Sequence, residues 1–361
     1  MPEGTAVIIA QTISPPADPL QLAFNGLSLD QKIGELLMVA LDRKDDASTL
    51  SSLTASGLVT GILLVGNGWT DAEAFDVTTA INSQAATLPI GLYIAVDQEG
   101  GKVQRLSGSG FSKIPAASTQ GTWPADKLTT NATKWAQQLN AVGVNLNLAP
   151  VTDTVPSSML KTNKPIGVLG RQFGSSAKLV GDQAATYIQA MNAGGVQACV
   201  KHFPGLGRIT GNTDTATTGV TDKTTKADDS YVGAFKTAIA AGPAMVMISM
   251  ATYSKIDAKH PAVFSSAVIT DLLRGQLGWN GVVISDAMNA ATIKSTAVGQ
   301  RGVEFVKAGG DIAIFMSVAD VTKAAAGMKK LAQSDEAFAA QIDAAVMRVL
   351  KAKAAAGLLH D

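Results

Sequence analysis

From Leu27 onward, short apolar runs alternate with segments whose apolar positions recur every three or four residues, and the alternation is kept almost to the end of the chain. The runs "GLVTGILLVG", "PIGLYIAVD", "VNLNLAP", "VQACVKHF", "AMVMISM", "GVVISD" and "DIAIFM" read as buried strands, each ending on polar or turn-forming residues. Helical periods separate them, around Asp71 to Ala86, Asn131 to Val142, Ser176 to Ala193, Ser230 to Ala241, Ser265 to Leu277 and Val298 to Ala308. Two further helical stretches, about Val321 to Leu331 and Glu336 to Ala355, close the chain. Near the start, Ser28 is placed to cap a helix with Gln31 as its capping-box partner.

Strands separated by helices imply a parallel sheet covered on both faces. Seven strands are counted without strain, and Leu36 to Leu41 or a short irregular segment supplies an eighth. The pattern predicts a single-domain (β/α)8 TIM-type barrel over 27–361, with room for one degenerate position, after a flexible leader over 1–26. A doubly wound open sheet is the competing architecture, because strand counting does not prove closure. No Pro/Gly/Ser-rich linker or break in composition marks a second domain.

Composition narrows the function classes. Of 361 residues 46% are hydrophobic and 16% charged, with Lys+Arg and Asp+Glu balanced at 29 each, so nothing in the net charge attracts nucleic acid or an anionic membrane. No apolar stretch approaches the ~20 residues of a membrane-spanning helix, and the chain is expected to be soluble. The leader carries "AVIIA" without a preceding Lys or Arg, which makes a poor intact signal peptide. The compartment therefore turns on whether a signal has been trimmed, with an extracytoplasmic location favoured over a cytoplasmic one. Cys199, the only cysteine, lies in the apolar "VQACV" and is expected to be a buried structural thiol; no His/Cys spacing suits a metal.

On a barrel, chemistry collects where strands end. Four runs deliver ionisable groups there: Asp97 leading into "DQEGGKVQRL", Asp153, the pair Lys201 and His202, and Asp286. A carboxylate such as Asp286 directly after a buried strand can serve as a nucleophile or stabilise a developing cation. Asp97 and Arg105 flank a turn whose glycines admit a close ligand, and an Asp among Lys and Arg groups suits sugar hydroxyls. A structural ion-pair network explains the same residues, and any one strand-end Asp also reads as a helix cap. "GLGRITG" lacks both the Gly-Lys-Ser/Thr ending and the G-x-G-x-x-G spacing, which weakens nucleotide binding and leaves no cofactor motif.

The segments "AVDQEGGKVQRL", "NLNLAPVTD", "LGRQFG", "CVKHFPGLG" and "VVISDAM", in this order, resemble glycoside hydrolase family 3, specifically its single-domain β-N-acetylglucosaminidases. The resemblance implies a TIM-type barrel that hydrolyses terminal β-linked sugars with retention and without a metal or cofactor. It implies Asp286 as nucleophile, and Asp97, Arg105, Arg171, Lys201 and His202 as binders of the terminal sugar. The substrates it suggests are N-acetylglucosaminides from peptidoglycan fragments or amino-sugar oligomers.

The same resemblance places an Asp-Ser-His triplet, with His as acid/base, on the loop after Lys201-His202. Here the triplet is Asn212, Thr213 and Asp214, and the chain's three histidines, His202, His260 and His360, include none in that loop. Asp214 is the candidate replacement acid/base, which needs a raised pKa from burial and from Asp286, and which would favour hydrolysis over phosphorolysis by repelling phosphate. Alternatively Asp214 is a turn residue in a sugar-binding relative that has lost catalysis, or the enzyme cuts a different β-glycoside. His260, before Pro261, reads as a turn residue rather than an acid.

Overall fold

The computed structural model describes residues 18–360. Eight parallel strands close on themselves in sequence order: β1 Leu37–Asp42, β2 Gly61–Val65, β3 Tyr93–Val96, β4 Leu146–Asn147, β5 Gln197–Phe203, β6 Met245–Ile248, β7 Val282–Ala287 and β8 Ile312–Phe315. Closure is made by β1 against β8, with Leu37 opposite Ala313 and Val39 opposite Phe315. The barrel reading is therefore correct and the open-sheet alternative is not. "LLMVAL" supplies the eighth strand outright, and a helix follows every strand.

Local chemistry accounts for the elements. Strand interiors are runs of Val, Ile, Leu and Ala that are fully buried, as expected of a parallel sheet covered on both sides. The Ser28 capping box forms as anticipated, Gln31 N–H to Ser28 Oγ at 3.3 Å and Ser28 N–H to Gln31 Oε1 at 3.1 Å. Its helix stops at Gly34, where an added Cβ would lie 2.5 Å from the Gly57 carbonyl oxygen, so β1 begins where the helix must yield to close backbone packing.

Three expectations need correction. Residues 18–26 are not part of a flexible leader: Asp18 caps the helix Pro19–Gly26, whose Leu20, Ala23 and Phe24 pack on the body of the protein, while the leader's remainder, 1–17, lies outside the described residues. The helix expected from Asn131 begins at Ala125, immediately after Pro124, because its polar first turns hide the apolar period. Two small accessory sheets were not foreseen: the hairpin Gln98–Gly100 with Val103–Gln104, and a three-stranded sheet of Thr221–Asp222, Thr252–Tyr253 and Asp257–Pro261. Both grow from loops at the carboxyl ends of strands and build up the rim. Among the described residues no helix is long and apolar enough to cross a membrane.

The opposite end of the barrel is stitched by one carboxylate. Asp311, fully buried at the foot of β8, accepts from Arg274 Nη2 at 2.8 Å, Arg348 Nε at 2.8 Å and the Val283 N–H at 2.7 Å. Removing its charge strands two guanidinium groups, and breaking a buried pair in this way costs about 3–5 kcal/mol. Asp311→Asn is expected to lower the denaturation midpoint accordingly while leaving KM unchanged, since the carboxyl ends of the strands lie at the far side; equilibrium unfolding and steady-state kinetics check both halves.

Candidate active site

A cleft of about 410 Å³ opens at the carboxyl ends of the strands, and every site residue singled out in the sequence lines it: Asp97, Arg105, Arg171, Lys201, His202, Asp214 and Asp286. A larger depression at the barrel floor, about 600 Å³, holds no carboxylate. Among the described residues no cluster of His, Cys, Asp and Glu is arranged to hold a metal ion.

The base of the cleft is an alternating row of buried charges. Lys201 Nζ, on β5, lies 2.5 Å from Asp97 Oδ1 and 2.7 Å from Glu99 Oε1. Arg171 grips Glu99 in a bidentate fork, Nε to Oε2 at 2.8 Å and Nη2 to Oε1 at 2.7 Å, the strongest carboxylate geometry available to Arg. Burial alone would raise the Glu99 carboxyl, but the Arg171 and Lys201 cations outweigh it and hold the group well below the usual carboxylate range. Burial likewise works against the Lys201 ammonium, and Asp97 with Glu99 overcomes it, so that its pKa lies above the ordinary lysine value.

Glu99 was not anticipated as a site residue. The signal was present: Asp97 and Glu99 are two residues apart in extended backbone, which puts both side chains on one face. Asp153, noted only as a strand-end carboxylate, has a defined task. It is fully buried and accepts from His202 Nδ1 at 2.7 Å and from the Leu206 N–H at 2.6 Å, which fixes the imidazole and leaves Nε2 for the cleft. The loop after β5 can lie this close because Gly207 has no side chain; a Cβ there would meet the Thr154 carbonyl oxygen at 1.8 Å.

Asp286 closes β7 at a register shift between Ile284 and Ala287. Ser285 fills the break in the ladder, accepting from the Ile314 N–H at 3.0 Å and donating to the Asp286 carbonyl at 2.6 Å. The Asp286 carboxylate accepts from the Ala287 N–H at 2.7 Å. This irregularity turns a strand-end side chain into the cleft and fixes it there.

Asp214 stands at the mouth on the loop after β5. Its residue surface is largely exposed, yet its carboxyl faces the concave lining, and that partial burial, together with the Asp286 charge and against His202 and Arg171, pushes its pKa up to about 6. Two backbone contacts position it: its N–H donates to Asn212 Oδ1 at 3.0 Å, and its carbonyl accepts from the Ala291 N–H at 3.2 Å. His260 does not line the cleft; it is exposed on the three-stranded accessory sheet, with Nδ1 2.9 Å from Asp257 Oδ2. Cys199 is buried, and burial pushes its thiol up, consistent with a structural residue.

Comparison with known proteins places this arrangement. Residues 28–352 match the Glycosyl hydrolase family 3 N terminal domain. An uncharacterized secreted glycosyl hydrolase of Arthroderma benhamiae is 31% identical over 292 residues, 79% of this chain and 81% of the relative. A beta-hexosaminidase of Stenotrophomonas maltophilia is 33% identical over 267 residues, 71% and 76% of the two chains. The solved structure of a beta-N-acetylhexosaminidase from Beutenbergia cavernae superposes with a TM-score of 0.85 at 43% identity, covering 91% of this chain and 99% of that one.

The Glu99 array predicts its own disruption. Glu99→Gln leaves Arg171 without its anion and Lys201 with only Asp97, so sugar affinity is expected to fall at least tenfold, about 1.4 kcal/mol. Because the Glu99 pKa is depressed, the stability it contributes is complete above the ordinary glutamate range and lost only as pH falls through the lowered value. Calorimetry with N-acetylglucosamine and acid titration of the folded state test the two statements, and unchanged affinity in the variant would contradict the first.

Proposed function

The chain belongs to glycosyl hydrolase family 3, and from that premise we propose that it is a retaining, exo-acting β-N-acetylglucosaminidase in which Asp286 is the nucleophile and Asp214 the acid/base. As a member of the family it is a glycoside hydrolase that cuts O-glycosyl bonds. The substrate proposed is a terminal β-linked N-acetylglucosamine on a peptidoglycan fragment or a short amino-sugar oligomer, in keeping with the beta-N-acetylhexosaminidase and beta-hexosaminidase relatives.

The observation that carries the reading is the pairing of Asp214 and Asp286 in one cleft, with the charge of Asp286 helping to keep the Asp214 proton in place up to a pH of about 6. In the first half-reaction the Asp286 carboxylate attacks the anomeric carbon while protonated Asp214 gives its proton to the departing oxygen. The bond from the anomeric carbon to that oxygen breaks as the bond to Asp286 forms. Esterified Asp286 no longer carries a charge, so one cause of the raised Asp214 pKa disappears. Asp214, now a carboxylate, takes a proton from the water that displaces Asp286. Two carboxyl groups about 5–5.5 Å apart are the usual layout for retention. Asp97, Arg105, Arg171, Lys201 and His202 supply donors and acceptors for the sugar hydroxyls.

One observation favours a second reading. The Asn212 Oδ1 bond to the Asp214 N–H is turn chemistry, which suits a sugar-binding relative whose Asp214 only shapes the loop. Kinetics of Asp214→Ala separate the two. With Asp214 as acid, turnover of a substrate with a poor leaving group falls on the order of 10²–10⁴-fold. Glycosylation by a dinitrophenyl glycoside, whose oxygen departs unprotonated, loses far less, and azide restores deglycosylation to give a glycosyl azide. Equal losses on both substrates with no azide product would reassign Asp214 to loop structure.

A further inference from the structure

We propose that Arg301, remote from the sugar, is a positioning residue for the acid/base, holding Asp214 at the cleft mouth through the segment Met288–Thr296. The proposal rests on the reading of Asp214 as acid and adds the device that places it.

Arg301 lies on the helix Val298–Lys307 and is only 8% exposed, yet it makes no ion pair among the described residues. Its guanidinium is spent on two backbone carbonyls instead. Nη1 donates to the Met288 carbonyl at 2.5 Å and Nε donates to the Thr296 carbonyl at 2.8 Å. These carbonyls are the two ends of the segment that follows the nucleophile strand. A buried cation held by neutral acceptors is a poor way to fill space, since a hydrophobic side chain of similar volume avoids the desolvation cost. Burial does depress the Arg301 pKa, with Asp320 alone opposing it. What the guanidinium supplies that a hydrophobic residue does not is a rigid fork joining both ends of a loop.

The middle of that segment touches the acid. Ala291 donates its N–H to the Asp214 carbonyl at 3.2 Å, and Asn289 lines the cleft beside it. Met288 is fixed from its other side, its N–H donating to the Ile314 carbonyl at 2.8 Å. The acid loop is also held at its neck, where the Thr210 and Gly211 N–H groups both reach the Gly219 carbonyl, at 3.0 and 2.8 Å, and Asn163 Nδ2 donates to the Ile209 carbonyl at 2.7 Å, while Thr213 beside Asp214 is buried. Asp214 is thus anchored by the neck of its own loop, by the buried Thr213 before it and by a latch whose rigidity comes from Arg301. Nucleophile and acid share one scaffold, because the segment leaves β7 directly after Asp286.

Two substitutions test this from opposite ends. Arg301→Met removes the fork. Ala291→Pro removes only the latching N–H, at a position that tolerates proline: it opens a 3-10 turn and follows Ala290, whose φ of −53° and ψ of 144° suit a residue before proline. A misplacement of about 1 Å in a catalytic group costs on the order of 10²-fold. Both variants are therefore expected to lose about that much kcat on di-N-acetylchitobiose, with KM little changed. On the dinitrophenyl β-N-acetylglucosaminide, which needs no acid for its departure, the glycosylation step should be nearly retained. Arg301→Lys, which keeps the charge and reaches one carbonyl at a time, should recover part of the loss.

The basic limb of the kcat/KM profile supplies a readout that a merely structural residue does not move. Asp214 faces Asp286, His202, Arg171 and Asp97; released toward water, it loses the burial and the Asp286 repulsion that hold its proton, and the limb moves to lower pH. Asp214→Ala is run alongside. If it shows the leaving-group split while Arg301→Met and Ala291→Pro lose equally on both substrates or lose nothing, the positioning role is overturned and the acid assignment stands. If Asp214→Ala shows no split, the acid assignment itself falls. Should Arg301→Met fail to fold, Ala291→Pro, which leaves Arg301 and its two carbonyl acceptors in place, decides the question.

Discussion

The rest of the site depends on a buried carboxylate at the base of the cleft. Glu99 is enclosed between Arg171 and Lys201, and Lys201 in turn holds Asp97, so the base of the cleft is a row of two anions and two cations with no net charge. Bringing these groups out of water costs several kcal/mol per ion, which only close and mutually satisfied geometry offsets. The return is rigidity. Donors and acceptors for a sugar are set in place before it arrives, so little ordering remains to oppose binding. The array also joins three parts of the chain: the segment after β3, the loop after β4 and strand β5. A ligand that touches it therefore touches the barrel itself.

Against this fixed base the two carboxyl groups proposed to react are held differently. Asp286 is set by an irregular strand end that Ser285 bridges, while Asp214 hangs on a loop closed by backbone bonds. The contrast suits their tasks. A nucleophile gains from a constant approach to the anomeric carbon, whereas an acid/base must admit substrate, release product and reach water. On the proposed assignment an electrostatic link joins them: burial and the Asp286 charge together raise the Asp214 pKa, and the second contribution is lost when Asp286 is esterified. On that assignment the proposed acid turns toward base behaviour at the step that requires one.

Much of this was legible in the chain. Parallel-sheet strands announce themselves as uninterrupted apolar runs, so β2, β3 and β5 to β8 follow from pattern alone, and so do the ionisable groups at the ends of β3, β5 and β7. The first strand was harder, since "ELLMVAL" continues the helical register of Ser28 to Gly34, and only backbone contact at Gly34 ends the helix. Glu99 escaped because it lies past the end of its strand, in a segment whose extended conformation is set by a hairpin rather than by hydrophobic period. Arg301 was beyond reach for another reason: on a helix face a buried arginine looks like a solvated one, and its partners are carbonyls that have no letter in the sequence.

The account comes down to whether burial and the neighbouring Asp286 charge together keep a proton on Asp214. Direct titration of the Asp214 carboxyl, by carbon-13 NMR of aspartate-labelled protein assigned with Asp214→Asn, measures this without turnover. The account predicts a midpoint near pH 6 in the native protein and a partial fall when Asp286 is replaced by Asn, with burial still holding it above the ordinary aspartate range. A native midpoint already in the ordinary range, or one that ignores the loss of the Asp286 charge, would contradict it.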